Sequence, residues 1–106
     1  MITIDDFKKV EIKIGEIVSV ENIEGSDKLL KLKVHFGTEE RQVLSGIKAY
    51  FPDPQALVGK RCPFVTNLAP RMMIGLESQA MILATGGTDT PFALFETTGA
   101  PGETVH

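Results

Sequence analysis

The chain has one cysteine, no tryptophan, one tyrosine and two histidines. Each scarcity excludes something. A lone Cys62 can form neither an internal disulfide nor a cysteine-rich zinc site, which suits a reducing compartment and makes it a small buried hydrophobe. His35 and His106 lie far apart, the second at the last position, and suggest neither a catalytic triad nor a metal cluster. No glycine loop runs into Lys-Ser/Thr, no dinucleotide fingerprint occurs, and Gly86-Gly87 reads as a turn. Asp5-Asp6 and Glu39-Glu40 read as solvated charge. No catalytic residue, metal or cofactor is therefore expected. No apolar run approaches the roughly 20 residues of a membrane span, and the opening Met1-Ile2-Thr3-Ile4-Asp5-Asp6 has no basic segment ahead of an apolar core. A cytoplasmic location follows as the expectation.

What is present suits one domain over residues 1–106: 42% hydrophobic residues, with 10 Gly and 6 Pro breaking the apolar runs into short pieces. Thr3 offers a cap, followed by Asp5, Asp6 and then Lys8, Lys9, the charge order of a short helix. From Val10 the pattern alternates, with Ile12, Ile14, Val18 and Val20 on one parity, and predicts a long strand with a bulge or bend at Gly15. Leu30, Leu32, Val34 and Phe36 predict a second strand whose other face carries Lys31, Lys33 and His35. Arg41 to Ile47 predicts a third strand, although its alternation is poor. Pro52 to Gly59 predicts a short helical turn begun by proline and ended by glycine. Lys60 to Leu68 and Ser78 to Ala84 predict further strands, and Pro91 to Phe95 a last short one. Between those two strands, Asn67 to Glu77 reads as an unusually apolar loop. The expected class is all-β: a five-stranded OB-fold barrel with a short N-terminal helix, a short helix between strands 3 and 4, and a C-terminal strand extension.

Charge is unevenly placed. The net charge is −3, yet residues 28–72 carry Lys28, Lys31, Lys33, Arg41, Lys48, Lys60, Arg61 and Arg71 against only Glu39, Glu40 and Asp53. Half of that excess is expected to cancel when the segments fold together. Aromatics are too sparse for a generic ladder of stacked bases. Recognition of a folded RNA by shape, backbone and one or two bases fits better.

Two segments carry a resemblance: Glu24-Gly25-Ser26-Asp27-Lys28-Leu29-Leu30-Lys31-Leu32, and Asn67 through Met81. Both resemble the signature of the tRNA-binding domain found at the C-terminus of bacterial methionyl-tRNA synthetases, in stand-alone tRNA-binding proteins and in cytokine-like synthetase cofactors. Ile2 to Phe7, Leu44-Ser45-Gly46-Ile47 and Tyr50 to Leu57 are similar to the synthetase version, so the likeness runs almost end to end. It implies an OB barrel, homodimerisation and binding to the outer corner of tRNA. It also implies a non-enzymatic module that delivers or retains tRNA for aminoacylation, either alone or joined to the catalytic part of methionyl-tRNA synthetase. By position, Ser78 and Met81 would face RNA, with Asn67 and Arg71 in the adjoining loop; Lys28, Lys31 and Lys33 are added from strand parity and charge. The ordinary readings are that Met81 is core, Ser78 a strand-start hydroxyl and Arg71 a solvated loop charge. One departure stands out: many relatives carry Lys or Arg where this chain has Met72 and Ile74, which implies weaker and less salt-dependent RNA binding. The alternative function is a dimerisation or chaperone-like protein-binding module of the same fold, for which the acidic termini and the apolar Met72-Met73-Ile74 loop are the argument. The candidates for the dimer interface, by the resemblance and by exposed apolarity, are Ile2 to Phe7 and Phe92 to Phe95.

Overall fold

The computed structural model describes all 106 residues. The opening segment forms a four-residue helix α1 (Ile4–Phe7), in which Thr3 accepts from the Asp6 amide and Asp6 accepts in return from the Thr3 amide. That reciprocal cap satisfies donors a helix start leaves open. None of the helix side chains is buried.

The alternating segments become β1 (Ile12–Asn22), β2 (Leu30–His35), β3 (Glu40–Ser45) and β4 (Arg61–Val65). With the short β7 (Met81–Ile82) they make a curled antiparallel sheet in the order β3-β2-β1-β4-β7, a half-barrel. β1 serves two neighbours. Ile12 to Glu16 pair with β4, and Glu16 to Asn22 pair with β2. The edge of Ile12 and Ile14 that faces away from β4 is taken by the C-terminal tail, through Gly102 N–H to Ile14 O, Ile14 N–H to Glu103 O and Val105 N–H to Ile12 O. This tail and the small hairpin β8–β9 (Ala84–Thr85 and Ala93–Leu94) are the C-terminal extension.

The irregularity in β1 lies two to four residues beyond its expected place. The register shifts between Ile17 and Ser19, not at Gly15, and the buried parity switches there from Gly15 and Ile17 to Val20. Gly15 answers to packing instead: a Cβ at that position would run into Val34 and come within 2.7 Å of Phe36 and 3.0 Å of Phe64.

The concave face buries Ile17, Leu30, Leu32, Val34, Val43, Leu57, Cys62 and Phe64 completely. Phe64 meets Phe36 edge-on at 5.5 Å. Each such aliphatic or aromatic side chain contributes about 1.5–3 kcal/mol. Between β3 and β4 the expected helix is two 3₁₀ turns, Lys48–Tyr50 and Pro54–Leu57. Asp53 caps the second by accepting from the Gln55 amide, and Gly59 at φ 92° turns the chain into β4. No helix is long and apolar enough to cross a membrane.

Candidate nucleic-acid interface

The apolar segment after β4 is a hairpin and not a loop: β5 (Arg71–Met73) pairs with β6 (Leu76–Ser78). Its two turn residues, Ile74 and Gly75, both have positive φ, 49° and 72°, the requirement of a type I′ turn. Asn-Gly or Asp-Gly usually signals that turn. Ile74 gave no such signal, because a β-branched residue is poorly tolerated in the left-handed region.

The hairpin does not join the main sheet by a ladder. One main-chain bond and several side chains bracket it to β3. Gln79 N–H donates to Gln42 O at 2.9 Å, Gln42 N–H donates to Gln79 Oε1 at 3.0 Å, and Gln42 Nε2 donates to Glu77 O at 2.9 Å. The buried Ser78 hydroxyl accepts from Leu44 N–H at 3.0 Å and donates to Ala80 O at 3.2 Å. Arg41 lies 5.7 Å over the Phe36 ring, donates to the carbonyls of Thr66 and Gln79, and pairs with Glu39 at 2.7 Å.

A pocket of about 170 Å³ opens between β3 and this hairpin, with Leu44, Ala69, Met73 and Ile82 among its walls and with the exposed Arg71 and Met81 beside them. Its chemistry is apolar walls with one guanidinium and the Ser45 hydroxyl. That combination accepts a flat apolar group that carries an anion close by.

β2 extends the surface. Across the ladder Lys31 stands opposite Leu44 and Lys33 opposite Gln42. Leu44 lines the pocket, and Gln42 holds the hairpin. Lys28 lies at the foot of the same strand pair, where its carbonyl accepts from Lys48 N–H. Folding cancels half of the central cations: Lys31 pairs with Glu21 at 2.9 Å, Arg41 with Glu39, Lys60 with Glu96 and Arg61 with Glu16. The Lys31 ammonium, by its hydrogen bond and its charge, holds the Glu21 carboxyl below the usual range. Lys28, Lys33, Lys48 and Arg71 remain without an acidic partner.

Of the seven residues singled out from the sequence, Lys28, Lys31, Lys33, Arg71 and Met81 share this surface as exposed or half-exposed groups. Ser78 lies beneath it, buried and engaged at both ends. Asn67 is turned elsewhere: its Oδ1 accepts from Glu11 N–H at 2.8 Å and its Nδ2 donates to Lys9 O at 2.7 Å. Beside it, the Thr66 hydroxyl donates to the Glu11 carboxylate at 2.6 Å and lowers that carboxyl from its ordinary value. Asn67 thus staples the N-terminal segment to the end of β4.

Sequence reasoning missed Gln42, Gln79 and Arg41, the brackets, as well as Lys48. The signal was the poor alternation in β3. Val43 and Leu44 are both buried because β3 is covered on two faces, by the core and by the hairpin.

Residues 12–103 match the profile of the family described as "Putative tRNA binding domain". Two methionine–tRNA ligases, from Caldanaerobacter subterraneus and Chloroherpeton thalassium, are each 49% identical over 83 residues, 78% of this chain. The chain spans only 13% and 12% of those ligases. Among solved structures, the methionyl-tRNA synthetase related protein of Pyrococcus horikoshii superposes with a TM-score of 0.93 at 35% identity, covering 100% of this chain and 98% of that one. The CsaA chaperone protein of Picrophilus torridus superposes with a TM-score of 0.87 at 27% identity over the full length of both. With 92 of its 106 residues inside the family profile, the chain belongs to the tRNA-binding domain family.

Proposed function

We propose that this chain is an OB-type module that binds tRNA by shape and backbone and catalyses nothing by itself, acting in the cytoplasm on its own or joined to the catalytic part of methionyl-tRNA synthetase. A tethered module of this kind raises the local concentration of tRNA at a catalytic domain. The observation that carries the reading is the continuity between the β2 lysines and the Arg71–Met81 pocket across β3. Cations along one edge hold phosphates, and an apolar recess takes a base or a ribose. In this reading Lys28, Lys31, Lys33, Arg71 and Met81 touch RNA, while Ser78 and Asn67 position the segments that do. Homodimerisation is part of the proposal. Ile2, Ile4, Phe7 and Val10 lie exposed along the N-terminal segment, and a second copy would cover them.

A filter-retention titration with bulk tRNA and a matched DNA duplex, at low and at physiological salt, tests the function. Retention that prefers tRNA, weakens with salt and is lost in the double variant Lys33→Glu, Arg71→Glu is expected. Equal retention of the duplex, or none at low salt, would overturn it. A second reading, a protein-binding module, draws support from the likeness to a CsaA chaperone and from Met72 and Ile74, exposed at the hairpin tip. Under it the same double variant leaves the activity, capture of unfolded chains, untouched.

A further inference from the structure

Tyr50 is the single tyrosine of a chain without tryptophan. It ends the 3₁₀ turn Lys48–Tyr50 and is 41% exposed. Its ring lies parallel to Phe92, with centroids 4.3 Å and planes 2° apart, and Phe92 meets Phe51 edge-on at 5.9 Å. The phenol donates to Gly87 O at 2.9 Å, and a Cβ at Gly87 would stand 2.7 Å from the phenol oxygen. One face is therefore stacked and the hydroxyl end is held. Phe92 covers only one face of the ring, and a ring already fixed in orientation lowers the ordering cost of a second stack on the other.

The ring is placed along the interface. Two stretches leave the pocket, one from Ser45 and one from Ile82, and they rejoin five residues later at the Tyr50–Gly87 hydrogen bond. Five residues reach about 17 Å at most, so one RNA can touch both places. Two cations lie on the segments that meet at this turn, and the Lys48 ammonium reaches the Ser26 carbonyl at 3.5 Å. Lys48 opens the same turn and its amide donates to Lys28 O; neither lysine has an acidic partner. A side chain that only covered Phe92 would need neither a locked orientation nor an open face.

We propose that the open face of Tyr50 stacks one unpaired nucleobase of the bound RNA while Lys28 and Lys48 hold the adjoining phosphates, a contact additional to the Arg71–Met81 pocket. The inference rests on the RNA-binding reading above. Aromatic stacking is tolerant of sequence and sizeable per base, which suits a module that reads tRNA by shape.

Because Tyr50 is the only tyrosine and there is no tryptophan, the emission reports on the surroundings of this one ring. Bulk tRNA is titrated into the protein, with a parallel titration of free N-acetyl-tyrosinamide to correct for absorption by the RNA. Filter retention is measured on the same samples. Expected is a saturable quench whose midpoint matches retention, with Tyr50→Phe binding within about twofold of the natural chain and Tyr50→Leu binding about tenfold more weakly. Leucine keeps an apolar cover over Phe92, and an unchanged circular dichroism spectrum shows that the variant folds. Retention without quench, or Tyr50→Leu binding as tightly as the natural chain, would overturn the stacking contact and leave the RNA-binding reading standing. No retention of tRNA would sink both.

Discussion

The Ser78 hydroxyl accepts the Leu44 amide at 3.0 Å in a place where neither group meets water. The bond is the one point at which the hairpin replaces a missing strand partner for β3 with a buried side chain. Ser78→Ala would leave a buried amide donor without an acceptor, at a cost of about 1–3 kcal/mol. Urea denaturation checks it. If the role is positioning, tRNA affinity falls further than this loss of stability explains, because Ala80 and Met81 are no longer held.

Gly15 stands against Val34, Phe36 and Phe64 with no room for a methyl group. Its φ is not positive, so the demand for glycine is steric. Gly15→Ala forces those three side chains off their rotamers or moves β1, and costs about 1–3 kcal/mol or more. The measurable result is a lower denaturation midpoint. A midpoint equal to that of the natural chain would mean that the sheet yields easily at this strand crossing.

How far the sequence was legible follows from what covers each strand. β2 alternates because one face is core and the other is solvent, and its parity put Lys31 and Lys33 on the outer face; β1 keeps one parity only on either side of its register shift. β3 resists this reading because Leu44, on its outward face, is buried beneath residues 78–81, a contact between segments 34 residues apart in the chain. The hairpin β5–β6 was hidden because Ile74 occupies a position where turn rules expect asparagine or glycine. The charge excess was visible in the sequence, but which four cations survive depended on partners such as Glu21 for Lys31 and Glu96 for Lys60, set by folding alone. Asn67 read as a motif residue, and only the fold shows its amide bonded to Lys9 and Glu11.

Ile74 offers a gain. A β-branched residue at φ 49° carries a penalty of about 1–2 kcal/mol that asparagine largely avoids. Ile74→Asn is expected to stabilise the chain by about 1 kcal/mol, read as a rise in denaturation midpoint, while removing an exposed apolar side chain. Ile74→Lys tests the electrostatics separately. If the hairpin tip lies along the RNA backbone, the added charge tightens tRNA binding and steepens the logarithmic salt dependence by about 0.7–0.9. An unchanged slope places the tip away from the phosphates.

Cys62 lies in β4 opposite Gly15, fully buried, and burial together with the nearby Glu96 carboxylate pushes its thiol from 9.0 up to about 11. Only the thiolate reacts readily. Iodoacetamide at pH 8 should therefore label the native chain only as fast as the chain opens, and should label it quickly in denaturant. The same shift fixes a dependence of stability on pH. Below about pH 9 the thiol is neutral in both states and contributes nothing that varies. Between 9.0 and about 11 the unfolded thiol ionises while the folded one does not, so stability falls as pH rises through that window, by about 2–3 kcal/mol. The measurement is a difference between the natural chain and Cys62→Ala, which isolates the thiol. The variant is less stable at neutral pH because of its cavity, and the gap between the two should narrow from pH 9 to pH 11. A gap that stays constant would mean that the thiol ionises at its ordinary value in the folded chain, and that β1 and β4 admit water at the Gly15–Cys62 pair.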